Sequence, residues 1–172
     1  MQVWWKRNMN IVLIGMPGCG KSTVGVLLAK SLLMHFVDTD LTIQSIYKKS
    51  LSAIIEDEGL DAFKRIENEV LSSVETENAV IATGGSAVYG AEAMEHLGRN
   101  GTIVHLDVPL ATIKSRLSDI KSRGVAIADG YTIDDLYAER APLYEKYANV
   151  TVPCDGKTAE ECVDAIVAAL KQ

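Results

Sequence analysis

Gly15, Met16, Pro17, Gly18, Cys19, Gly20, Lys21 and Ser22 satisfy the spacing G-x-x-x-x-G-K-[ST], and each fixed position has a chemical reason. Glycines let the backbone curl until its N–H groups converge on a phosphate, and a helix opening just behind them adds the partial positive charge of its N-terminus. Lys21 is then placed to reach the β- and γ-phosphates, and the Ser22 hydroxyl to ligate Mg²⁺. The expected binding set for ATP is Gly15, Gly18, Cys19, Gly20, Lys21, Ser22 and Thr23. Asp38 and Asp40 form a second group. Read as extended chain, their side chains leave one face at the end of a strand, where one carboxylate could hold hydrated magnesium and the other orient or deprotonate an acceptor hydroxyl. The same Asp-Thr-Asp also reads as a helix cap. A third candidate is Arg140, which shares a helical stripe with Leu136, Leu143 and Tyr147 and so faces inward. A charge there needs a partner, either an anionic substrate or an internal Glu.

These groups need a scaffold, and the hydrophobic pattern supplies one. Ile11 to Ile14 is a continuous apolar run of the kind found in a central parallel strand, followed by the glycine loop and then by helical spacing from Lys21 through Val24, Leu27, Leu28 and Leu32. The alternation continues. Strands are expected at Phe36 and Val37, Ala79 to Ala82, Thr102 to Leu106 and Val150 to Val152. Helices are expected near 41–48, 51–77, 90–98 and 109–119, then from Thr132 and from Thr158, each of the last two with an acidic residue three positions on. Residues 120–132 lack a period and are long for a connection, which suits a mobile lid. The expectation is therefore an α/β, three-layer P-loop nucleotide-binding fold, its mainly parallel five-stranded sheet covered by helices on both faces. Residues 1–8 read as an N-terminal extension and 9–172 as a single domain.

The phosphate loop, Asp38 with Asp40, the run from Gly59 through Phe63 to Glu67, the stretch from Thr83 to Gly85, Arg123, and Arg140 through Pro142 to Tyr144 together resemble the shikimate kinase family in order and spacing. The resemblance implies ATP and Mg²⁺ as cofactors, the metal at Ser22 and Asp38, and Asp40 as the carboxylate for the acceptor hydroxyl. It further implies catalytic roles for Lys21, Asp40 and Arg123. Arg116 would lie against adenine, and the lid residue Arg123 would close on the phosphates. Substrate contacts would come from Asp40, Lys64, Gly84, Gly85 and Arg140.

Three departures concern the acceptor. Lys64 stands where the family has an arginine, keeping the charge but losing the two-pronged fork that matches a carboxylate. Ser86 replaces the last glycine of a triplet, and Gly124 with Val125 and Ala126 replaces a proline-containing lid sequence. These keep alternatives open: a related kinase of another small hydroxy acid or polyol, or a nucleotide-binding regulatory module without catalysis. No Asn-Lys-x-Asp sequence is present for guanine. The net charge of −6 speaks against a nucleic-acid partner, because phosphate-backbone affinity needs clustered cations. No apolar run approaches the roughly 20 residues needed to cross a bilayer. Three cysteines without CxxC spacing suit a reducing compartment, so a cytoplasmic monomer acting on shikimate or a similar hydroxy acid is expected.

Overall fold

A computed structural model describes residues 9–117 and 125–171. The expected extension 1–8 and residues 118–124, which hold Arg123 and the first part of the lid expected at 120–132, lie outside the described residues. Five strands, β1 (Asn10–Ile14), β2 (His35–Asp38), β3 (Ala79–Ala82), β4 (Gly101–Asp107) and β5 (Val150–Pro153), form one wholly parallel sheet in the order β2-β3-β1-β4-β5. Ile11, Val12, Leu13 and Ile14 are fully buried, as expected for a strand covered on both sides. The helices are α1 (Lys21–Leu32), α2 (Thr39–Tyr47), α3 (Leu51–Glu58), α4 (Leu60–Ser72), α5 (Ala91–Arg99), α6 (Leu110–Arg116), α7 (Ile133–Tyr147) and α8 (Ala159–Leu170), with a single 3-10 turn at Ala87–Tyr89.

From β1 the chain crosses through α1 towards β2, and from β3 through α5 back past β1 to β4. Right-handed crossovers in opposite directions put α1 and α5 on opposite faces of the sheet. Helix α8 packs beside α1, and α4 beside α5, giving the three expected layers. Because all strands are parallel, the loops after β1, β2 and β3 open at the same edge, where ligands of such sheets bind. Both N-terminal caps expected for α7 and α8 form, Thr132 with Asp135 and Thr158 with Glu161.

Two local expectations are corrected. The helical run expected over 51–77 is two helices, broken at Gly59, whose backbone (φ 84°, ψ 165°) lies where residues with a Cβ are strained. The Asp38–Asp40 pair is not extended. Helix α2 begins at Thr39, and the Asp38 side chain caps it by accepting from the Asp40 and Leu41 N–H groups at 3.0 and 3.3 Å. Asp40 thus sits in a first helical turn and not at a strand end.

Candidate active site

The loop between β1 and α1 takes its shape from three glycines with positive φ, Gly15 (147°), Gly18 (78°) and Gly20 (101°). At Gly15 a Cβ would lie 2.8 Å from the Leu106 carbonyl oxygen, so this strand end tolerates no side chain. The buried Lys21 ammonium donates to the Gly15 and Met16 carbonyls at 2.7 and 2.9 Å, and Cys19 Sγ lies 3.6 Å away. Ser22 Oγ donates to Asp38 Oδ2 at 2.8 Å. A hydroxyl and a carboxylate from different elements are thereby joined, both oxygen donors of the type a hard divalent cation takes. Arg116, at the end of α6, donates to the Gly18 carbonyl at 3.1 Å, which brings α6 against the loop.

A cleft of about 300 Å³ opens beside this loop, lined among others by Lys21, Ser22, Thr23, Asp40, Gly84 and Arg140. Its floor is backbone. Thr83 fastens the end of β3 to β1 through its N–H and hydroxyl, both donating to the Leu13 carbonyl. The Gly85 carbonyl accepts from the buried Tyr144 hydroxyl at 2.7 Å. A Cβ on Gly84 would meet Asp40 Oδ1 at 2.7 Å and Glu67 Oε1 at 2.8 Å; one on Gly85 would meet Arg140 Nη1 at 2.9 Å. Asp40 and Arg140 therefore press against adjacent residues of one floor.

Burial pushes the Asp40 carboxyl up to about 6, with the Asp38 charge adding to the rise and the Lys21 ammonium opposing it. Arg140 is 1% exposed. Its Nη2 donates to the Ala126 carbonyl at 2.6 Å and its Nε to the Tyr89 hydroxyl at 3.3 Å. The ion pairs among the described residues join Lys49 to Asp57, Arg99 to Glu95 and Lys114 to Asp134. Among the described residues no carboxylate is in salt-bridge contact with the guanidinium, although its charge acts on the buried Glu67 carboxyl and opposes the rise that burial drives in its pKa.

Lys64 is not brought to the cleft. Its ammonium lies 4.1 Å from the centroid of the Tyr89 ring and lines a separate cavity. Ser86, in place of the triplet's last glycine, donates to Glu67 Oε2, and Glu67 Oε1 is buried without a hydrogen-bond partner among the described residues. Burial drives the Glu67 carboxyl up to about 7, against the opposing Ser86 hydrogen bond. Sequence reasoning gave no role to Glu67, Tyr89 or Tyr144. Glu67 shares a helical face with Phe63, Val70 and Leu71, and a carboxylate on that apolar stripe was the available signal.

Glu67 also makes a stability prediction. Its folded pKa lies above the ordinary 4.5, so the native state holds the extra proton and stability falls as pH rises from about 4.5 to 7. The isosteric neutral Glu67→Gln variant is expected to remove that loss, gaining on the order of 3 kcal/mol over the parent at pH 8 and little at pH 4.5. Urea unfolding of both proteins at the two pH values measures this, and an equal difference at both would show that the Glu67 pKa is not raised in the folded state.

A glycine-rich phosphate loop at the head of a parallel sheet, with a carboxylate and a buried cation across the cleft, defines a P-loop small-molecule kinase. The family follows from comparison with known proteins. A family model described as shikimate kinase matches residues 17–171. A shikimate kinase of Clostridium botulinum (strain Alaska E43 / Type E3) is 38% identical over 157 residues, covering 91% of this chain and 93% of the relative. Among solved structures, a shikimate kinase from Acinetobacter baumannii in complex with shikimate superposes with a TM-score of 0.86 at 31% identity, covering 95% of this chain and 93% of that one. The shikimate kinase from Aquifex aeolicus gives 0.81 at 37% identity, covering 95% and 96%. The chain belongs to the shikimate kinase family, whose members are ATP-dependent kinases.

Proposed function

We propose that this chain transfers the γ-phosphoryl group of ATP to the 3-hydroxyl of shikimate, giving shikimate 3-phosphate and ADP. The observation that carries the reading is the floor at Gly84 and Gly85, against which Asp40 and Arg140 Nη1 lie side by side. One group suits an acceptor hydroxyl and the other an acceptor carboxylate, and both open into the cleft that Lys21 lines.

In this reading Arg140 grips the shikimate carboxylate and the Gly84–Gly85 backbone carries the ring. Asp40 accepts the proton of the attacking hydroxyl as its oxygen bonds to the γ-phosphorus and the bond from that phosphorus to the ADP oxygen breaks. Lys21 exchanges the Gly15 and Met16 carbonyls for the β- and γ-phosphates. Arg116 lies against adenine, and Arg123 would contact the phosphates. Ser22 and Asp38 would hold Mg²⁺, which when bound offsets the charge on the phosphates. Among the described residues there is no group of three or more His, Cys, Asp or Glu side chains that could hold a metal ion; magnesium at Ser22 and Asp38 would take its other ligands from phosphate and water. No helix among the described residues is long and apolar enough to cross a membrane.

ADP release coupled to a chromogenic reaction, run over a panel of hydroxy acids and polyols, tests the assignment. Turnover is expected with shikimate above the rest of the panel. Shikimate inert while another acceptor reacts would transfer the reading to that acceptor. Tight ATP binding with no turnover on any acceptor would make the chain a nucleotide-binding module.

A further inference from the structure

Arg140 and Lys64 come from different helices, α7 and α4, and meet at one side chain. The Tyr89 ring has Lys64 Nζ 4.1 Å and Arg140 Cζ 5.3 Å from its centroid. Its hydroxyl donates to Glu139 and accepts from Arg140 Nε at 3.3 Å. A phenol has one proton, so once Glu139 takes it the remaining lone pairs are fixed as acceptors for the guanidinium. Arg140 Nη2 is held by the Ala126 carbonyl at 2.6 Å, which leaves Nη1 over Gly85 in the cleft. Lys64 lines a second cavity of about 110 Å³ with Tyr89 and Glu139, and Ala126 borders both spaces. Ala126 is thus shared by the two spaces, and Tyr89 lines the one that holds Lys64.

We propose that Tyr89 is a positioning residue that sets acceptor specificity: its hydroxyl aims Arg140 into the cleft while its ring holds Lys64 outside it, so an acceptor carboxylate meets one guanidinium and not two cations. The proposal deepens the reading of the cleft as an acid-binding kinase site and rests on it. An ammonium held on a tyrosine face is about 2- to 30-fold less available to an anion than a free one. Tyr89 thus lets a chain with lysine at position 64 keep a carboxylate anchor at Arg140 alone. The acids it suits are those that bind through a single fork.

The test is a double-mutant cycle read in the KM for shikimate. With Tyr89 present, Lys64→Ala is expected to change KM by no more than about twofold. In a Tyr89→Leu background the freed lysine reaches the cleft, and Lys64→Ala then raises KM about fivefold or more. Tyr89→Phe keeps the ring and loses only the hydroxyl, so it is expected to raise the KM for shikimate about 3- to 10-fold while leaving the KM for ATP unchanged. Equal effects of Lys64→Ala in both backgrounds, or an unchanged KM in Tyr89→Phe, would overturn the proposal. A second readout needs no turnover: NMR of the ligand-free protein is expected to show the Lys64 ε-methylene protons shifted upfield by the ring in the parent and Tyr89→Phe, and at ordinary values in Tyr89→Leu. Ordinary values in the parent would refute the hold on Lys64. An intact upfield shift with shikimate inert would instead sink the acceptor assignment alone.

Discussion

Asparagine at position 40 is expected to lower kcat by about 10²- to 10⁴-fold, the usual contribution of a positioned general base. ADP affinity, measured by calorimetry, should stay within about twofold. The two effects separate because Asp40 faces the floor at Gly84, whereas the phosphates are expected at the loop between β1 and α1. Asp40 has the properties of a base that works near neutrality. Burial lifts its carboxyl to about 6, so it holds a proton well at the moment of transfer yet is mostly ionised at pH 7. In the parent enzyme kcat/KM is therefore expected to fall on the acid side through pH 6 to 7, a limb shared with Glu67, which is coupled to Asp40. In Asp40→Asn the residual rate should lose most of that limb. Equal losses of ADP binding and turnover would mean that Asp40 serves the nucleotide.

Arg140→Met should separate function from stability in opposite directions. If Arg140 holds the acceptor carboxylate as proposed, removing the guanidinium takes away a charge-assisted contact made through Nη1. This should lower kcat/KM for shikimate by about 10²- to 10³-fold with most of the loss in KM, the KM for ATP being unaffected. The fold, by contrast, carries in Arg140 a cation that is 1% exposed and has neutral acceptors as its direct hydrogen-bond partners. A buried charge in that setting is costly, and an apolar side chain of similar volume often leaves a protein as stable or more so. Tm is thus expected to hold or rise. A marked fall in Tm with an unchanged KM would show the guanidinium to be structural.

The sheet was readable because strands covered on both faces must be apolar without interruption, as Ile11 to Ile14 and Ala79 to Ala82 are. The phosphate loop was readable because its constraints are local, a fixed spacing of glycines next to a helix start. The break at Gly59 was hidden by continuing helical periodicity through Phe63, Ile66 and Val70, although the glycine itself was the sign. Asp38 left two readings open because a β-strand and a helix cap can share one residue, and only the backbone turn at Thr39 decides for the cap. The contacts of Arg140 could not be read at all. Its inward face was evident from Leu136 and Leu143, but the partners lie 14 residues away at Ala126 and 51 away at Tyr89. The turn of Ser86 towards Glu67, 19 residues distant, likewise follows from packing and leaves no periodic trace.

The strand order carries a consequence for how the protein is made. Strand β1, which ends in the phosphate loop, pairs with β3 on one side and β4 on the other, and β2 pairs only with β3. A nascent chain leaving the ribosome therefore displays its nucleotide loop long before the strand beneath it has a hydrogen-bonding neighbour, which arrives only with residues 79–82. Until then the segment Ile11–Ile14 is an unpaired, wholly apolar stretch. Synthesis must deliver about half the polypeptide before that stretch can be sequestered, and a product truncated ahead of Ala79 should be insoluble and blind to ATP.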